Sequence, residues 1–246
     1  MRALLVTSRV TFVPRNYDDL VCGLADAPEV AALLELDNAA VALGAKALGV
    51  VALGAPRFGL TLLRNLTGVS GNRRRAAYRR AGKPVRRVAT INDPDVLGWI
   101  ARLGIDLVIN ARTRVIYRAP VLALPRLGCI NVHHGLLPEQ RGTMCDLWAL
   151  AERRPAGFTV HRMTARVDAG PILERVVVSD GRDRDYLAYL RRAARREAQV
   201  LRALLHRWAR GEPPCERPNE PPAGLRYRRN PRAAEIRWMR ARGMRL

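Results

Sequence analysis

Lysine is nearly absent from this 246-residue sequence. Only Lys46 and Lys83 occur, and the other 41 of its 43 basic residues are arginine. With 22 acidic residues, the formal net charge at pH 7 is +21. Such an excess is compatible with nucleic-acid binding, but the arginines are spread along the whole chain, as in proteins from GC-rich genomes. We therefore expect an anionic small-molecule partner and no dedicated nucleic-acid partner.

Cysteine is also scarce, and its spacing excludes two classes of protein. The four cysteines are Cys22, Cys129, Cys145 and Cys215, and no two are spaced as CxxC. This argues against a zinc ribbon and against a disulfide framework, and it favours a cytoplasmic location. The first residues, MRALLVTSRVTFV, lack a full signal-peptide core, so residues 3–7 are predicted to form a first strand.

The sequence has no uninterrupted apolar run of the roughly 20 residues that a membrane span requires. Its most apolar part, residues 38–65, is interrupted by Lys46, Pro56 and Arg57. The pattern predicts two amphipathic helices that break near Pro56. They could pack in a homodimer or lie on a membrane surface, and the sequence leaves both open. A basic linker or helix with a solvated face is expected at 71–84, so that 38–84 forms a helical insertion.

Short apolar runs alternate with helical patterns along most of the chain. The continuous apolar character of IDLVINA and GCINVH is typical of strands inside a parallel sheet. The order of strands and helices, with a helix expected at 16–26 between the first two strands, predicts an α/β fold with a doubly wound, mostly parallel sheet over residues 1–180. A long helix at about 183–210 and an irregular tail follow, so residues 181–246 are expected to be a C-terminal extension packed on this domain.

Asn131 and His133 follow an apolar run and precede a turn. In an extended segment, residues two apart point to the same face, so an amide and an imidazole should lie side by side. Asp168 is expected on a loop between two later strands. These three groups could serve a hydrogen-bonded core, a metal or a developing negative charge. An amide N–H can donate to an oxyanion, and a carboxylate favours a neighbouring imidazolium.

Other histidines and cysteines near this motif have ordinary explanations. His134 could contact an acceptor phosphate or be solvated, and the sequence favours neither. His161 lies on a predicted strand, where a packed role is commoner than a ligand role. Cys145 has no activating partner for a nucleophilic role. A zinc site from His133, His134 and Cys145 would lack the usual supporting contacts, so no metal is predicted.

Several motifs in the second half of the chain resemble the folate-dependent formyltransferase family. They are NVH at 131–133, LLP at 136–138, RG at 141–142, GFTVH at 157–161 and VDAGPIL at 167–173. NxH alone is a poor signal, whereas the combination at these distances is specific. The resemblance extends over about residues 85–180. The family includes the glycinamide ribonucleotide, methionyl-tRNA and amino-sugar N-formyltransferases. It implies a Rossmann-like fold and 10-formyltetrahydrofolate as co-substrate.

The resemblance also implies roles for individual residues. Asn131, His133 and Asp168 match the family's catalytic asparagine, histidine and aspartate. The residues that it assigns to the folate pocket are Thr113, Arg114, Val115, Ile116, Pro138, Val167, Ala169 and Gly170. In the implied mechanism, Asn131 and a protonated His133 stabilise the oxyanion, Asp168 supports the imidazolium, and no metal takes part.

Departures from the family pattern narrow the expected acceptor. TSRVTFVPRNYDD replaces the glycine- and serine-rich phosphate loop of glycinamide ribonucleotide enzymes. The segment after Gly211 is too short for the RNA-binding domain of methionyl-tRNA enzymes, and the regulatory domain of formyltetrahydrofolate hydrolases is not seen. We expect a small primary amine, first an amino sugar on a nucleotide or lipid carrier, and second a hydroxyornithine-like metabolite. A catalytically silent folate- or RNA-binding relative is the remaining alternative.

Overall fold

A mostly parallel sheet forms the centre of the computed structural model, which describes residues 1–38 and 40–246. The strands are β1 Ala3–Ser8, β2 Val30–Leu36, β3 Val85–Val88, β4 Leu107–Ala111, β5 Cys129–His133, β6 Ala156–Arg162 and β7 Ile172–Ser179. Their order in the sheet is β3-β2-β1-β4-β5-β6-β7. The pairs among β1 to β5 are parallel, whereas the pairs β5–β6 and β6–β7 are antiparallel, so that β6 alone runs in the opposite direction. The predicted fold class is confirmed.

The helices are α1 Asp18–Val21, α2 Ala40–Ala52, α3 Pro56–Leu66, α4 Val69–Arg80, α5 Pro94–Arg102, α6 Ala119–Ala123, α7 Cys145–Ala151, α8 Tyr186–Ala209 and α9 Ala233–Ala241. Helices α1 to α7 lie between these strands along the chain, and α8 and α9 follow the last strand. The helix expected at 16–26 is confirmed over residues 18–24, where α1 continues directly into a 3-10 turn at Cys22–Leu24, but it begins two residues later than expected. Arg15, Asn16 and Tyr17 have φ values of 56°, 54° and 69°. This left-handed backbone cannot continue into a right-handed helix.

The sheet buries both of its faces, which is the defining feature of a doubly wound fold. Along β1, Leu4 and Val6 point into a core formed with α5 and α6, where Ile100 is fully buried. Ala3 and Leu5 point to the opposite face, into the core that includes Leu201 of α8. This alternation follows from the period of two in a strand.

Three helices, α2, α3 and α4, make up most of the 38–84 segment, and Ala39 lies outside the described residues. The predicted break near Pro56 is confirmed, since α2 ends at Ala52 and α3 starts at Pro56. The solvated face expected at 71–84 is wrong for Arg74, which is fully buried. The Arg74 guanidinium lies 3.0 Å from the Asp18 carboxylate and 3.5 Å from that of Glu35. A buried cation is tolerated there because two anions neutralise it.

The tail after Gly211 was expected to be irregular. This is wrong for residues 233–241, which form α9. The carboxylate of Glu235 accepts a hydrogen bond from the Arg232 N–H at the start of this helix, which satisfies a free backbone donor. Ile236 and Met239 are buried in the main core. Within the part of the chain that the structure describes, no helix has the length and apolar character to cross a membrane.

Candidate active site

The predicted site residues meet at the carboxyl ends of β4 and β5, next to β1. The strand order reverses between β1 and β4, and ligands of open α/β sheets bind at such a switch point. A crevice of about 490 Å³ opens there, lined by residues of the 112–117 loop, the end of β5 and the 163–168 loop. Its volume lies within the usual range of about 300–1,000 Å³ for small-molecule sites.

A chain of hydrogen bonds fixes the orientation of the Asn131 amide. The hydroxyls of Thr113 and Tyr117 lie 2.7 and 3.3 Å from Asn110 Oδ1 and donate to it. Asn110 Nδ2 then donates to Asn131 Oδ1 at 2.8 Å. The amide nitrogen of Asn131 therefore points away from Asn110 and carries two N–H groups. One of them has a protein partner in His161, and the other can face a ligand.

His161 contacts two residues of the site, whereas only a packed role was expected for it. Its Nδ1 lies 2.7 Å from the Arg162 carbonyl oxygen and must donate to it, because a carbonyl only accepts. Its Nε2 therefore accepts the N–H of Asn131 at 3.1 Å. The same nitrogen lies 3.6 Å from Asp168 Oδ1. The place of His161 in the GFTVH motif was the available signal, and the antiparallel register of β6 with β5 brings it opposite Asn131.

The His133 ring is buried, and its neighbours determine which nitrogen carries the proton. Nε2 donates to the Gln140 carbonyl oxygen at 2.7 Å, so Nδ1 faces Asp168 Oδ1 at 3.5 Å. Burial lowers the pKa of His133 to about 4, against the opposing effect of the Asp168 charge. The ring is therefore neutral in the resting state, and the protonated His133 expected beside the oxyanion would form only during the reaction. The neutral ring presents an Nδ1 lone pair that can accept a proton.

Gly135 allows this placement of the ring. A Cβ at Gly135 would lie 2.8 Å from His133 Nε2 and 2.7 Å from the Gln140 carbonyl oxygen. Both are closer than a side chain can approach. The absence of a side chain therefore permits the turn after β5 to pack directly under the imidazole.

Asp168 is held in the crevice through its backbone. Its φ is 53°, a left-handed conformation that aspartate adopts more readily than most residues. Its carbonyl oxygen accepts hydrogen bonds from Arg141 Nη1 at 2.7 Å and from Asn219 Nδ2 at 2.9 Å. Burial acts to raise the pKa of Asp168, but the adjacent His161 ring and the charge of Arg141 lower it below its ordinary value. The carboxylate is therefore ionised.

Arg141 and Asn219 are functional positions that reasoning from the sequence did not assign. The buried Arg141 guanidinium contacts both the carbonyl and the Oδ1 of Asn219, at 2.7 and 2.8 Å. Arg141 was visible within the RG motif. Asn219 gave no sequence signal, because it lies in the tail, far along the chain from Asp168.

The loop predicted to bind folate lies along one wall of the crevice. Thr113, Arg114, Val115 and Ile116 all line it, and Val167 lines the opposite side. Among the described residues, the backbone groups of Thr113, Arg114 and Val115 have no backbone hydrogen-bond partner. An extended backbone with free donors and acceptors can pair with the edge of a heteroaromatic ring.

Three other predicted folate contacts lie outside the crevice lining. Pro138 sits behind it, where its carbonyl oxygen accepts a hydrogen bond from Arg141 Nε at 3.2 Å. Ala169 directly follows Asp168, the residue with left-handed backbone in the same loop. Gly170 is buried against the Arg162 carbonyl, which a Cβ at that position would overlap. These residues shape the site through the backbone and do not present side chains to a ligand.

His134 is largely buried, so the solvated environment is wrong, whereas contact with an acceptor stays a prediction because the residue lines the crevice. Its Nδ1 lies 3.0 Å from Glu197 Oε1, and this carboxylate is fully buried. Burial acts to raise the pKa of Glu197, but the His134 charge and hydrogen bond lower it. Burial also raises the pKa of the Cys145 thiol, which makes a nucleophilic thiolate unfavourable. Among residues 1–38 and 40–246, no three histidine, cysteine or acidic side chains form a metal-binding group.

Comparison with known proteins agrees with this geometry. The family model of the formyl transferases matches residues 72–205, which is more than half of the chain. A methionyl-tRNA formyltransferase of Methylococcus capsulatus is 36% identical over 125 residues, covering 50% of this chain and 41% of the relative. The chain thus spans less than half the length of this curated relative.

Solved structures share the fold at low sequence identity. A phosphoribosylglycinamide formyltransferase from Anaplasma phagocytophilum aligns with a TM-score of 0.59 at 18% identity, covering 86% of this chain and 88% of that one. A sugar N-formyltransferase from a Shewanella species aligns with a TM-score of 0.56 at 16% identity, covering 93% and 76%. The family match includes β5, β6 and the Asp168 loop, where the amide, imidazole and carboxylate converge, and the chain therefore belongs to the formyl transferase family.

Proposed function

We propose that this protein transfers the formyl group of 10-formyltetrahydrofolate to the primary amine of a small acceptor. The observation that carries the proposal is the convergence of the Asn131 amide, His133 Nδ1 and the Asp168 carboxylate in one crevice. His133 Nδ1 and Asp168 Oδ1 are 3.5 Å apart. An amide donor, a buried base and a carboxylate suit acyl transfer through a tetrahedral intermediate.

The crevice fits the folate donor in volume and in chemistry. The exposed backbone groups of the 113–116 loop suit the donor and acceptor edge of a pterin, and Val167 supplies apolar contact on the facing wall. The donor supplies the one-carbon unit, and its nitrogen is the leaving group.

Asn131 acts on the formyl oxygen. As the acceptor nitrogen attacks the formyl carbon, an electron pair moves onto that oxygen. The N–H of Asn131 not bonded to His161 donates to the oxyanion. This donor is already oriented through Asn110, so it needs no reorganisation during the reaction.

His133 and Asp168 handle the proton. The attacking amine becomes positively charged, and its proton moves to the lone pair on His133 Nδ1. The imidazolium that forms is stabilised by the Asp168 carboxylate on one side and by the Gln140 carbonyl on the other. The same proton can then pass to the departing nitrogen, which restores the neutral ring.

An amino sugar on a nucleotide or lipid carrier is the acceptor class that we favour. Arg114 lines the crevice without a carboxylate partner among the described residues and suits an anionic acceptor, whereas the Arg112 guanidinium already faces the Asp146 carboxylate. A hydroxyornithine-like amine is the second choice. The identity to methionyl-tRNA formyltransferases makes methionyl-tRNA a further candidate acceptor.

The state of the cysteines bears on the cellular location of the protein. Cys22, Cys129, Cys145 and Cys215 are all free thiols, which supports a cytoplasmic location. Homodimer formation and membrane-surface contact through residues 38–65 stay predictions. Membrane contact can be checked by co-sedimentation with vesicles.

The test is a screen of amines with 10-formyltetrahydrofolate, following release of tetrahydrofolate. The panel includes nucleotide-linked amino sugars, hydroxyornithine and methionyl-tRNA. We expect turnover with an amino sugar, and a loss of about 10²–10³-fold in kcat for Asn131→Ala, the usual effect of removing one oxyanion donor. A folded Asn131→Ala protein with unchanged turnover would contradict the mechanism. Salt-sensitive RNA binding without formyl transfer would favour a silent relative.

A further inference from the structure

A second cavity, of about 350 Å³, adjoins the crevice and is not used by the mechanism above. Its walls come from the loop after β1, from α2 and α3, and from the C-terminal tail. Apolar side chains dominate these walls, including Val10, Phe12, Phe58 and Leu62. The rings of Phe12 and Phe58 are 4.8 Å apart, so this wall is formed by packed aromatic groups.

The cavity and the crevice share part of their lining. Phe12, Arg112, Arg114 and Met144 line both spaces. A molecule with its amine beside His133 can therefore extend past Met144 into the apolar space. The two volumes are neighbouring compartments of one site.

Two cations lie at the edge of the apolar space. Lys46 of α2 and Arg114 both line it. Burial lowers the pKa of Lys46, and the Arg114 charge lowers it further. Within the described part of the chain, neither side chain forms an ion pair with a carboxylate. An anion placed between them would relieve this repulsion.

We propose that this cavity binds an apolar arm of the amine acceptor, and that Lys46 and Arg114 bind an anionic group beside that arm. The acceptor is therefore an amphiphile with a primary amine, a phosphate or carboxylate and a hydrocarbon portion. This rests on the proposed function and narrows it, because a purely hydrophilic nucleotide carrier would leave the cavity without a ligand group. Among the carriers considered, the geometry favours the lipid type.

Binding of a simple amphiphile tests the cavity without any need for formyl transfer. Calorimetry on the full chain compares octyl phosphate, butyl phosphate and inorganic phosphate, all as monomers in solution. Burial of each methylene group strengthens binding by about fourfold, so four further carbons give about 200-fold when fully buried. We expect octyl phosphate to bind at least about tenfold more tightly than butyl phosphate, and inorganic phosphate to bind most weakly.

Two glycines of α2 provide a matched pair of variants. Gly49 lines the cavity and Gly44 does not. A Cβ at either position meets no heavy atom of the described residues within 4 Å, so both helical positions accept a larger residue. Gly49→Phe should fill the space and abolish the preference for octyl over butyl phosphate, whereas Gly44→Phe should retain it. Equal octyl phosphate binding by the wild type and Gly49→Phe would overturn the proposal.

A second pair of variants tests the anionic group. Lys46→Gln should weaken octyl phosphate binding about fivefold and leave octanol binding unchanged. Arg64→Gln removes the same charge from an exposed position of α3 that does not line the cavity, and it should change neither. Equal loss in both variants would point to general charge attraction and refute the anion site.

The outcomes separate this inference from the proposed function. Formyl transfer to a hydrophilic amine, together with no chain-length dependence of alkyl phosphate binding, refutes the apolar arm and leaves the enzyme activity standing. Length-dependent binding that Gly49→Phe abolishes, without transfer to any amine, supports the cavity and refutes the activity.

Discussion

Replacing Asn110 by aspartate should impair catalysis more than replacing it by leucine, although aspartate has the same size and shape. In the wild type, Asn110 Nδ2 donates to Asn131 Oδ1 at 2.8 Å. An ionised carboxylate cannot donate there, and it would instead accept from the Asn131 amide nitrogen. The amide of Asn131 then rotates by half a turn and withdraws its N–H groups from the crevice.

The magnitude follows from the competing hydrogen bonds. A hydrogen bond to a charged group contributes about 1.5–3 kcal/mol, which favours the rotated amide by about 10- to 150-fold. Asn110→Asp should therefore lose about 10- to 100-fold in kcat. Asn110→Leu removes only a neutral bond of about 1 kcal/mol, so the two amide orientations become similar in energy and kcat falls about twofold.

The assay is kcat at saturating donor and acceptor, with thermal unfolding as the check on folding. Tyr117→Phe is a matched control, because it removes a 3.3 Å bond to Asn110 Oδ1 and leaves Asn110 Nδ2 in place, and it should retain at least half of the activity. Lowering the pH protonates the new carboxyl group, which can then donate to Asn131, so the deficit relative to the wild type should narrow. A folded Asn110→Asp enzyme with wild-type kcat would refute the orienting role of Asn110.

Two further predictions concern ionisation. Because burial lowers the pKa of His133 to about 4, the ring is neutral across the neutral range. After correction for protonation of the amine, kcat/KM should be flat from about pH 5.5 to 8 and fall only as the pH drops towards that value; an inflection near the ordinary histidine pKa of about 6.5 would contradict this assignment. Arg74→Leu leaves Asp18 buried without its cation and Glu35 with Arg87 alone, so chemical denaturation should show a loss of about 3–5 kcal/mol in unfolding free energy. Arg79→Leu, at an exposed position of the same helix, should change stability by less than about 1 kcal/mol.

Much of the fold was accessible from local patterns. The apolar runs of β4 and β5 indicated buried parallel strands, and Pro56 marked the break between α2 and α3. The helix α9 was missed because the tail is rich in proline and arginine. Only two apolar side chains of this helix, Ile236 and Met239, are buried, and two positions are too few to show a helical period. Burial of Arg74 was missed for a similar reason, since its partners Asp18 and Glu35 come from distant segments.

The sequence by itself determined which chemical groups face the crevice. Alternation along β5 directs Asn131 and His133 to one side, and the motif spacing identifies Asp168 as their partner. Only the tertiary structure decided the states of these groups. Asn110, on the neighbouring strand, sets the direction of the Asn131 amide, and the turn after β5 sets the tautomer of His133. Sheet register, hydrogen-bond direction and burial arise from contacts between remote segments, and no local pattern specifies them.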